Sequence, residues 1–309
     1  MQVNFPGAAP TKPLYEVEFR SNGYHIDGKR VKRVSTILEK FPDSGEGLIT
    51  WSKQRVALTM QRVLKDRCLA HPDTGRLMCY FPAEEIPALA DQAYKDPDDI
   101  KEETAEVGTA VHAFCDEWLL GGATEECRLQ IVRNYMLPDT DNTLLLEVLQ
   151  RQTETKDMTP VERNLFFDRM KSCMFNKFVK FWRKAGLTYV GSEIVIGSRK
   201  HKYGGRIDIL ARDRKGRLVL IDLKTSKWVS PSHFGQVALY KAGYEEMYGE
   251  KIYRCYIVHL PREWNEKNQG FGLYPVARPA RYLAITLNLL RYWKDTEFEA
   301  VLNARRENI

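Results

Sequence analysis

Two predicted strands, each with a carboxylate inside an apolar run, constrain the fold of this chain most. Residues 204–210 read Gly-Gly-Arg-Ile-Asp-Ile-Leu, and residues 218–225 read Leu-Val-Leu-Ile-Asp-Leu-Lys-Thr. β-Branched and apolar runs of this length predict buried strands. The segment between them ends near Gly216, and a three-residue hairpin loop closing at this glycine would set Asp208 opposite Asp222, to within one residue.

Opposed carboxylates on one sheet face need a compensating cation. Directly opposed residues have Cβ atoms roughly 4.5–5.5 Å apart, and two like charges at that distance in an apolar setting are costly unless a cation lies between them. Lys224 follows Asp222 by two residues and therefore projects from the same face. A single acid at a strand end more often belongs to a solvated rim, but isoleucine or leucine flanks both acids here. Two acids and a lysine on one buried face predict a metal-dependent phosphodiesterase site.

The composition is that of a packed and mildly basic protein. Of the 309 residues 43% are hydrophobic, and the formal net charge is +6, which is compatible with binding to nucleic acid without proving it. The cations form two clusters, Lys29, Arg30, Lys32 and Arg33 in the first and Arg199, Lys200, Lys202 and Arg206 in the second. A charge run is more often a solvated face than a binding site, but the second cluster leads directly into the strand of Asp208.

The cysteines and the chain start indicate the compartment. The six cysteines include no Cys-x-x-Cys pair, which argues against a zinc site of standard spacing. The first fifteen residues contain one lysine and no arginine, a poor match to a transit peptide, and no signal peptide is recognisable. No apolar run reaches the length of a membrane span. We therefore expect reduced thiols and a cytoplasmic location.

The rest of the pattern predicts mainly helices before residue 186 and a mixture of strands and helices after it. Residues 14–34 alternate like a β-hairpin with its turn at Asp27-Gly28. One helix is expected at about 83–95, and Asp96-Pro97 is expected to begin another that runs to Leu120. Further helices are expected at about 43–67, 124–136, 142–153 and 279–305.

Four short motifs together resemble a known family. Gly205-x-x-Asp208 and Asp222-x-Lys224 lie on the acidic strands, Gln236-x-x-x-Tyr240 lies on the following helix, and Gly108-Thr-x-x-His112 lies on an upstream helix. This set resembles the PD-(D/E)XK nuclease superfamily and, within it, the RecB-type branch. Residues 24–28, 34–38 and 48–51 also resemble the start of small stand-alone RecB-like exonucleases of phages and mitochondria. The resemblance runs discontinuously from about residue 24 to 260.

The resemblance implies an α/β fold of the restriction-endonuclease-like type, with a mixed β-sheet core flanked by helices and a large N-terminal helical subdomain. We expect one integrated unit with two parts. Residues 1–186 would form the hairpin and the helical subdomain that carries His112. Residues 187–309 would form the nuclease core sheet and the C-terminal helix.

The resemblance also implies a role for each matching position. Asp208 and Asp222 would ligate Mg²⁺ or Mn²⁺, and His112 and the backbone carbonyl of Leu223 would complete the metal shell. Lys224 would orient or activate the attacking water and stabilise the pentavalent phosphate. A lysine near a divalent ion loses its proton more easily than a free lysine.

Three further assignments have a structural alternative. A histidine on the helix face of Cys115 and Leu119 is more often a core residue than a ligand, and this applies to His112. Gln236 and Tyr240 lie one helical turn apart and would border the site and touch DNA, or simply pack on the helix surface. Glu193, on the strand before Asp208, is either a further active-site acid or a partner for the basic loop.

An iron–sulfur cluster is not expected. Some RecB-type nucleases hold one through an upstream cysteine and three cysteines near the C-terminus. This chain has no cysteine after Cys255.

The sequence therefore predicts a metal-dependent DNA nuclease, an exonuclease acting on single-stranded DNA or DNA ends in recombination, repair or replication, in the host cytoplasm if a phage encodes it. The alternatives are a structure-specific or restriction-like endonuclease and a non-catalytic DNA-binding adaptor on the same fold. The intact Asp208, Asp222 and Lys224 argue against the adaptor. The second basic cluster would grip phosphates, and the aromatic residues that could stack on bases are Trp51, Tyr203, Trp228 and Phe234.

Overall fold

The computed structural model describes residues 12–39, 41, 53, 56–57, 60–61, 68–70, 77–79, 85–121, 160–261 and 271–292. The chain forms two compact units, one of Met1–Phe41 with Gly108–Ile309 and the other of Pro42–Val107. Trp51, the helices expected at 124–136 and 142–153, and most of the helix expected at 43–67 lie outside the described residues. The predicted division at residue 187 falls within the larger unit, just before the strand that begins at Thr188, and stays a prediction.

A small antiparallel sheet opens the larger unit. It consists of β1 (Val17–Arg20), β2 (Gly23–Ile26) and β3 (Lys29–Arg30). Ile26 pairs with Lys29, so that Asp27 and Gly28 alone form the turn, with φ angles of 52° and 72°. Positive φ at both central residues is what a type I′ hairpin turn requires. The predicted hairpin is confirmed.

The main sheet has six strands and is mixed. They are β4 (Lys32–Arg33), β7 (Thr188–Ser198), β8 (Tyr203–Arg212), β9 (Leu218–Lys224), β10 (Ile252–His259) and β11 (Gly272–Pro275); the pair β5 (Cys68–Ala70) and β6 (Leu77–Cys79) belongs to the smaller unit. The order is β11-β10-β9-β8-β4, and β7 pairs with β8. β9 and β10 are parallel, as are β4 and β8, and the other pairs are antiparallel. The expected mixed sheet of an α/β fold is confirmed.

Five helices are described: α1 (Val34–Leu38), α2 (Ile86–Leu120), α3 (Pro160–Ala185), α4 (Pro231–Tyr248) and α5 (Pro279–Tyr292). The expectation that one helix ends near residue 95 and another begins at Asp96-Pro97 is wrong, because α2 runs through this dipeptide. Proline fixes its own φ at a helical value and removes one hydrogen bond, so a long helix can continue across it at some cost. Asp96-Pro97 has the residue types of a helix start, but the helix is continuous on both sides of this dipeptide.

Helices cover the main sheet and bury its apolar residues. α4 follows β9 and makes the crossover to the parallel strand β10; it begins after the capping residue Ser230 and ends at Gly249, whose φ is 68°. Val237, Leu239 and Tyr244 of this helix join the core formed by the strands. The C-terminal half of α2 packs on α3, with edge-to-face contact between Trp118 and Phe178. In the part of the chain that the structure describes, no helix is long and apolar enough to cross a membrane.

Candidate active site

The two acidic residues lie at the point where a β-ladder ends. The hairpin between β8 and β9 has a three-residue loop, because Asp213 N–H donates to Arg217 O at 2.9 Å and Gly216 N–H donates to Asp213 O at 2.8 Å. Gly216 has a φ of 74°, as a three-residue hairpin requires at this position. The last ladder pair is Ile209 with Ile221. Asp208 and Asp222 are the next positions on each strand, which confirms the predicted register.

One edge of β8 is shared by two strands. β9 pairs with residues 209–212, and β4 pairs with Tyr203 and Gly204. Within the described chain, the β8 residues between these two ladders, 205–208, have no strand partner on that edge. Asp208 instead accepts a hydrogen bond of 2.8 Å from Leu223 N–H through Oδ2. Asp208 and Asp222 therefore lie just beyond the β8–β9 ladder, and its last pair, Ile209 with Ile221, fixes the position of both.

Asp222, Asp208 and Lys224 form a buried charged group. Asp222 is 0% exposed, and the side chains of Asp208 and Lys224 are 16% and 15% exposed. Lys224 Nζ lies 2.6 Å from Asp222 Oδ2. Asp222 Oδ2 thus has the ammonium as its partner, whereas Oδ1 has no hydrogen-bond partner among the described residues. Buried carboxylate oxygens without a hydrogen bond are rare in folded proteins and point to an additional partner.

Burial perturbs all three groups. It raises the pKa of Asp208 and that of Asp222 to about 6, and the nearby Lys224 ammonium opposes both shifts. Burial lowers the pKa of Lys224, but attraction to Asp222 and Asp208 outweighs this, so its pKa rises above the usual value. Near neutral pH the group therefore holds two carboxylates and one ammonium, an excess of one negative charge in a poorly solvated place. Such a set favours a cation.

Two contacts fix the position of His112 on α2. A Cβ at Gly108 would lie 2.7 Å from Thr225 Oγ1, so only glycine allows the helix to approach the chain directly after Lys224 this closely. One turn beyond His112, the Asp116 carboxylate accepts a hydrogen bond from Ser192 of β7. The helix is therefore held on both sides of the histidine.

His112 faces the carboxylates. Its Nδ1 lies 3.9 Å from Asp208 Oδ2, and its side chain is 30% exposed. The core side of this helix face is taken by Cys115 and Leu119, both fully buried. Burial, followed by the Lys224 charge, lowers the pKa of His112, so the imidazole is neutral near pH 7 and has a lone pair available for a metal ion.

Gln236 and Tyr240 border the same group from α4. Gln236 Nε2 donates to Tyr240 Oη at 2.8 Å, so the two side chains do lie on one face. Burial raises the pKa of Tyr240, and the charges of Asp222 and Asp208 raise it further, which places the phenol within their electrostatic reach. A Cβ at Gly205 would lie 2.7 Å from Tyr240 Cε1. Gly205, three residues before Asp208, thus leaves room for the Tyr240 ring.

Glu193 lies next to the site on the neighbouring strand. The β7–β8 ladder pairs Ser192 with Ile209 and Ile194 with Ile207, which places Glu193 across from Asp208 but outside the ladder, with a φ of 52°. Its carboxylate accepts a 3.0 Å hydrogen bond from Arg206. It is therefore a partner of a basic residue, as one alternative expected, and its charge also contributes to raising the pKa of Asp208.

The second basic cluster is already partly neutralised. Arg199 forms an ion pair of 2.6 Å with Asp27 and lies 4.3 Å above the Tyr15 ring. Arg206 is paired with Glu193 as described. Lys200 and Lys202 are exposed and form no side-chain ion pair among the described residues. Lys200 and Lys202 are therefore the members of this cluster without an ion pair among the described residues, and the phosphate contacts of all four residues stay a prediction.

The aromatic residues differ in accessibility. The expectation that Tyr203 stacks on bases is wrong, since it is fully buried and donates a 2.8 Å hydrogen bond to Leu239 O. Phe234 packs against Tyr282 with ring centroids 5.1 Å apart. Trp228 is 55% exposed, four residues beyond Lys224. It is the accessible candidate among the described aromatics named from the sequence.

Two histidines near Lys224 were not singled out from the sequence. His259 of β10 lies beside Lys224 in the parallel ladder and contacts Ser226 O at 2.6 Å through Nε2. His233 accepts a hydrogen bond of 3.2 Å from Ser230 N–H at the start of α4. Burial, with the charge of Lys224, lowers the pKa of His233 to about 3. His259 lies at the end of a strand parallel to β9, and the sequence does not show this position because it depends on the strand order.

The donor set suits a hard divalent cation. Among the described residues, no three His, Cys, Asp or Glu side chains converge closely enough to form a ready-made metal cage. Asp222 nevertheless offers a buried Oδ1 that accepts no hydrogen bond among the described residues, and Asp208 and a neutral His112 lie nearby. Carboxylate and carbonyl oxygens with at most one imidazole are ligands typical of Mg²⁺ and Mn²⁺. The residues present fit such an ion.

Comparison with known proteins agrees with this chemistry. The sequence model of the PD-(D/E)XK nuclease superfamily matches residues 88–305, which include the acidic strands and His112. No curated protein matches the chain. Among solved structures, the crystal structure of SSO0001 has 14% sequence identity over 59% of this chain and 85% of that chain, with a TM-score of 0.23. That TM-score is too low to support a common fold.

Proposed function

This chain belongs to the PD-(D/E)XK nuclease superfamily, and we propose that it is a metal-dependent deoxyribonuclease with its catalytic centre at Asp208, Asp222 and Lys224. The observation that carries the proposal is the fully buried Asp222, which lies beside a second buried carboxylate and has a single ammonium as the counter-charge. A purely structural ion pair would be expected to leave no second carboxylate uncompensated and no Oδ1 without a partner. The geometry supports a site built to hold a cation and a phosphate.

The ion would be Mg²⁺ or Mn²⁺, held by Asp208, Asp222, His112 and the backbone carbonyl of Leu223. A divalent ion bound there would supply Lewis acidity and lower the pKa of a bound water. Contacts within the protein hold these ligand residues in place before an ion binds. Leu223 N–H orients Asp208, and the contact at Gly108 brings the helix of His112 close to β9.

Lys224 provides positive charge where negative charge develops on the phosphate. Its ammonium already lies at the carboxylates, and charge placed in a poorly solvated site stabilises a transition state most. Gln236 can hold the phosphate or the sugar by hydrogen bonds, since its amide has donors and an acceptor. Tyr240 orients that amide. Glu193 is a positioning residue through Arg206, which lies on the strand of Asp208, two residues before it.

The substrate we propose is single-stranded DNA or a DNA end, which an exonuclease of recombination, repair or replication would cut. Trp228 supports this, because an exposed aromatic ring near the catalytic lysine can stack on any base. Lys200 and Lys202 are available for phosphates. The RecB-type branch, the phage-like start and a cytoplasmic location belong to the same proposal, and no iron–sulfur cluster is part of it.

A cleavage assay with matched substrates tests the function. End-labelled linear and circular single-stranded DNA of the same sequence are incubated with the protein and Mn²⁺, with chelator and Asp222→Asn as controls. Cleavage of the linear strand alone supports the exonuclease, and cleavage of the circle shows an endonuclease. Binding without cleavage of either substrate would show a non-catalytic adaptor and overturn the proposal.

A further inference from the structure

The first basic cluster of the sequence lines a cleft that the catalytic site does not use. The cleft has a volume of about 590 Å³ and is lined by Ser21, Asn22, Arg30, Val31, Lys32, Arg33 and Thr36. These residues come from the β1–β2 turn, β3, β4 and α1. Three of the seven are cations, three carry hydroxyl or amide groups, and none is acidic. This composition suits an anion with several oxygens.

The two arginines converge on one point of the cleft. A Cβ at Gly23 would lie 3.6 Å from Nε of Arg30 and 3.6 Å from Nε of Arg33. Like charges so close together repel unless an anion compensates them. Among the described residues, no acidic side chain forms an ion pair with Arg30, Lys32 or Arg33. Arg20, on the adjoining strand, shows the contrasting case, since it is paired with Glu18.

Gly23 lies beside both arginines. Its φ is 128°, a conformation that side chains rarely adopt, and a Cβ there would be in van der Waals contact with both guanidinium groups. A solvated basic face needs neither a glycine of this conformation nor a concave arrangement of its cations. The cleft therefore differs from the exposed face that a charge run usually forms.

The cleft is connected to the strand of Asp208. Arg33 pairs with Gly204 in the β4–β8 ladder, and Asp208 lies four residues further along β8, about 13 Å at the usual strand rise. Lys32 N–H donates to Lys202 O at 3.2 Å, so an exposed lysine of the second cluster adjoins the cleft. Burial raises the pKa of Tyr24, and Arg206 and Arg33 oppose the rise, because both guanidinium groups lie near its hydroxyl.

We propose that this cleft binds a phosphate group of the nucleic-acid strand, with Arg30 and Arg33 as its principal ligands and Lys32, Ser21, Asn22 and Thr36 around them. The proposal rests on the proposed nuclease function, since it assigns the cleft to the same substrate. The backbone separation of about 13 Å between Gly204 and Asp208 corresponds to the length of about two to four nucleotides. The phosphate is either an internal phosphodiester or a terminal phosphomonoester.

The test uses two variants and one matched control, all as full-length protein in chelator so that no cleavage occurs. Arg33→Gln and Arg30→Gln each remove a cation from the cleft. Arg20→Gln removes the same charge from β1, where Arg20 is already paired with Glu18. Circular dichroism checks that all three fold. The probes are inorganic phosphate in a thermal-shift titration, and labelled single strands with a 5′-phosphate, a 3′-phosphate or neither.

We expect each cleft variant to weaken DNA binding about tenfold and to reduce the slope of log affinity against log salt by about 0.7 per lost contact. Arg20→Gln should stay within about twofold of the wild type. Inorganic phosphate should stabilise the wild type and Arg20→Gln but not the cleft variants. A loss confined to one phosphorylated end identifies a terminal phosphate, and an equal loss for all strands identifies an internal one.

The failure of this proposal differs from the failure of the proposed function. If the wild type binds and cuts DNA while both cleft variants keep wild-type affinity and salt slope, the cleft is not a phosphate site and the nuclease stands. If the wild type neither binds nor cuts DNA, the nuclease fails and the phosphate titration decides the cleft. Stabilisation that Arg33→Gln abolishes would then support a phosphate site, and no stabilisation would overturn it.

Discussion

Replacing Asp222 with asparagine should stabilise the metal-free protein near neutral pH. Burial raises the pKa of Asp222 from 3.8 to about 6, so in this range the folded state binds the proton more tightly than the unfolded state. Stability therefore falls as pH rises from about 4 to about 6 and stays lowered above that. A shift of about 2 pKa units corresponds to about 3 kcal/mol.

The expected gain for Asp222→Asn at pH 7.5 in chelator is up to about 3 kcal/mol, because the raised pKa of Asp222 already includes the opposing attraction of Lys224. Lys224 then keeps Asp208 as its partner, and the site becomes neutral. The assay is urea unfolding followed by circular dichroism at pH 4.5 and pH 7.5. The gain should be much smaller at pH 4.5, where the carboxyl is already protonated.

Lys224→Ala is the control of opposite sign. It leaves two buried carboxylates without their ammonium, so it should destabilise the metal-free protein at pH 7.5 and do so less at pH 4.5. Mn²⁺ should stabilise the wild type at pH 7.5 and should not stabilise Asp222→Asn. A wild type that is as stable as Asp222→Asn at pH 7.5 in chelator, or a gain that does not depend on pH, would refute the reasoning.

Three further predictions concern residues around the site. Burial lowers the pKa of His233 from 6.5 to about 3, so the folded wild type should lose stability relative to His233→Gln as the pH drops below 6.5. The expected loss at pH 5, measured by urea unfolding, is about 2 kcal/mol. A stability difference that does not change with pH would mean that the ring is solvated. Gly205→Ala should lower the free energy of unfolding by about 1–3 kcal/mol and reduce cleavage, because its Cβ would lie 2.7 Å from the Tyr240 ring. A variant as stable as the wild type would mean that the ring moves freely. Replacing Lys200 and Lys202 together with alanine should reduce the salt slope of single-strand binding by about 1.4, and an identical slope would return both lysines to the solvated surface.

The register of the acidic hairpin was predictable because local chemistry sets it. Gly216 permits the positive φ that a three-residue loop needs, and this loop length alone aligns Asp208 with Asp222. The end of the ladder at Ile209 and Ile221 was not predictable, since β4 takes the next part of the β8 edge. That pairing joins residues more than 150 positions apart in the sequence.

The orientation of His112 required long-range contacts as well. Helical periodicity placed it on the core face, but the structure turns it toward Asp208, with Nδ1 3.9 Å from Oδ2. The close approach of Gly108 to Thr225 is the physical cause, and no pattern within the helix shows which residue a glycine faces. The expectation that Tyr203 stacks on bases was wrong for a similar reason, because α4 covers this residue and accepts its hydrogen bond at Leu239 O.

The measurement that tests the account most directly compares Lys224→Ala with the wild type in cleavage, DNA binding and calorimetric Mn²⁺ titration. Lys224 acts on the transition state, so we expect turnover to fall at least about a hundredfold while the variant still binds DNA and Mn²⁺. Asp222→Ala should lose Mn²⁺ binding together with turnover, and His112→Ala should recover part of its activity at high Mn²⁺. Full cleavage by Lys224→Ala would contradict the proposed catalytic centre.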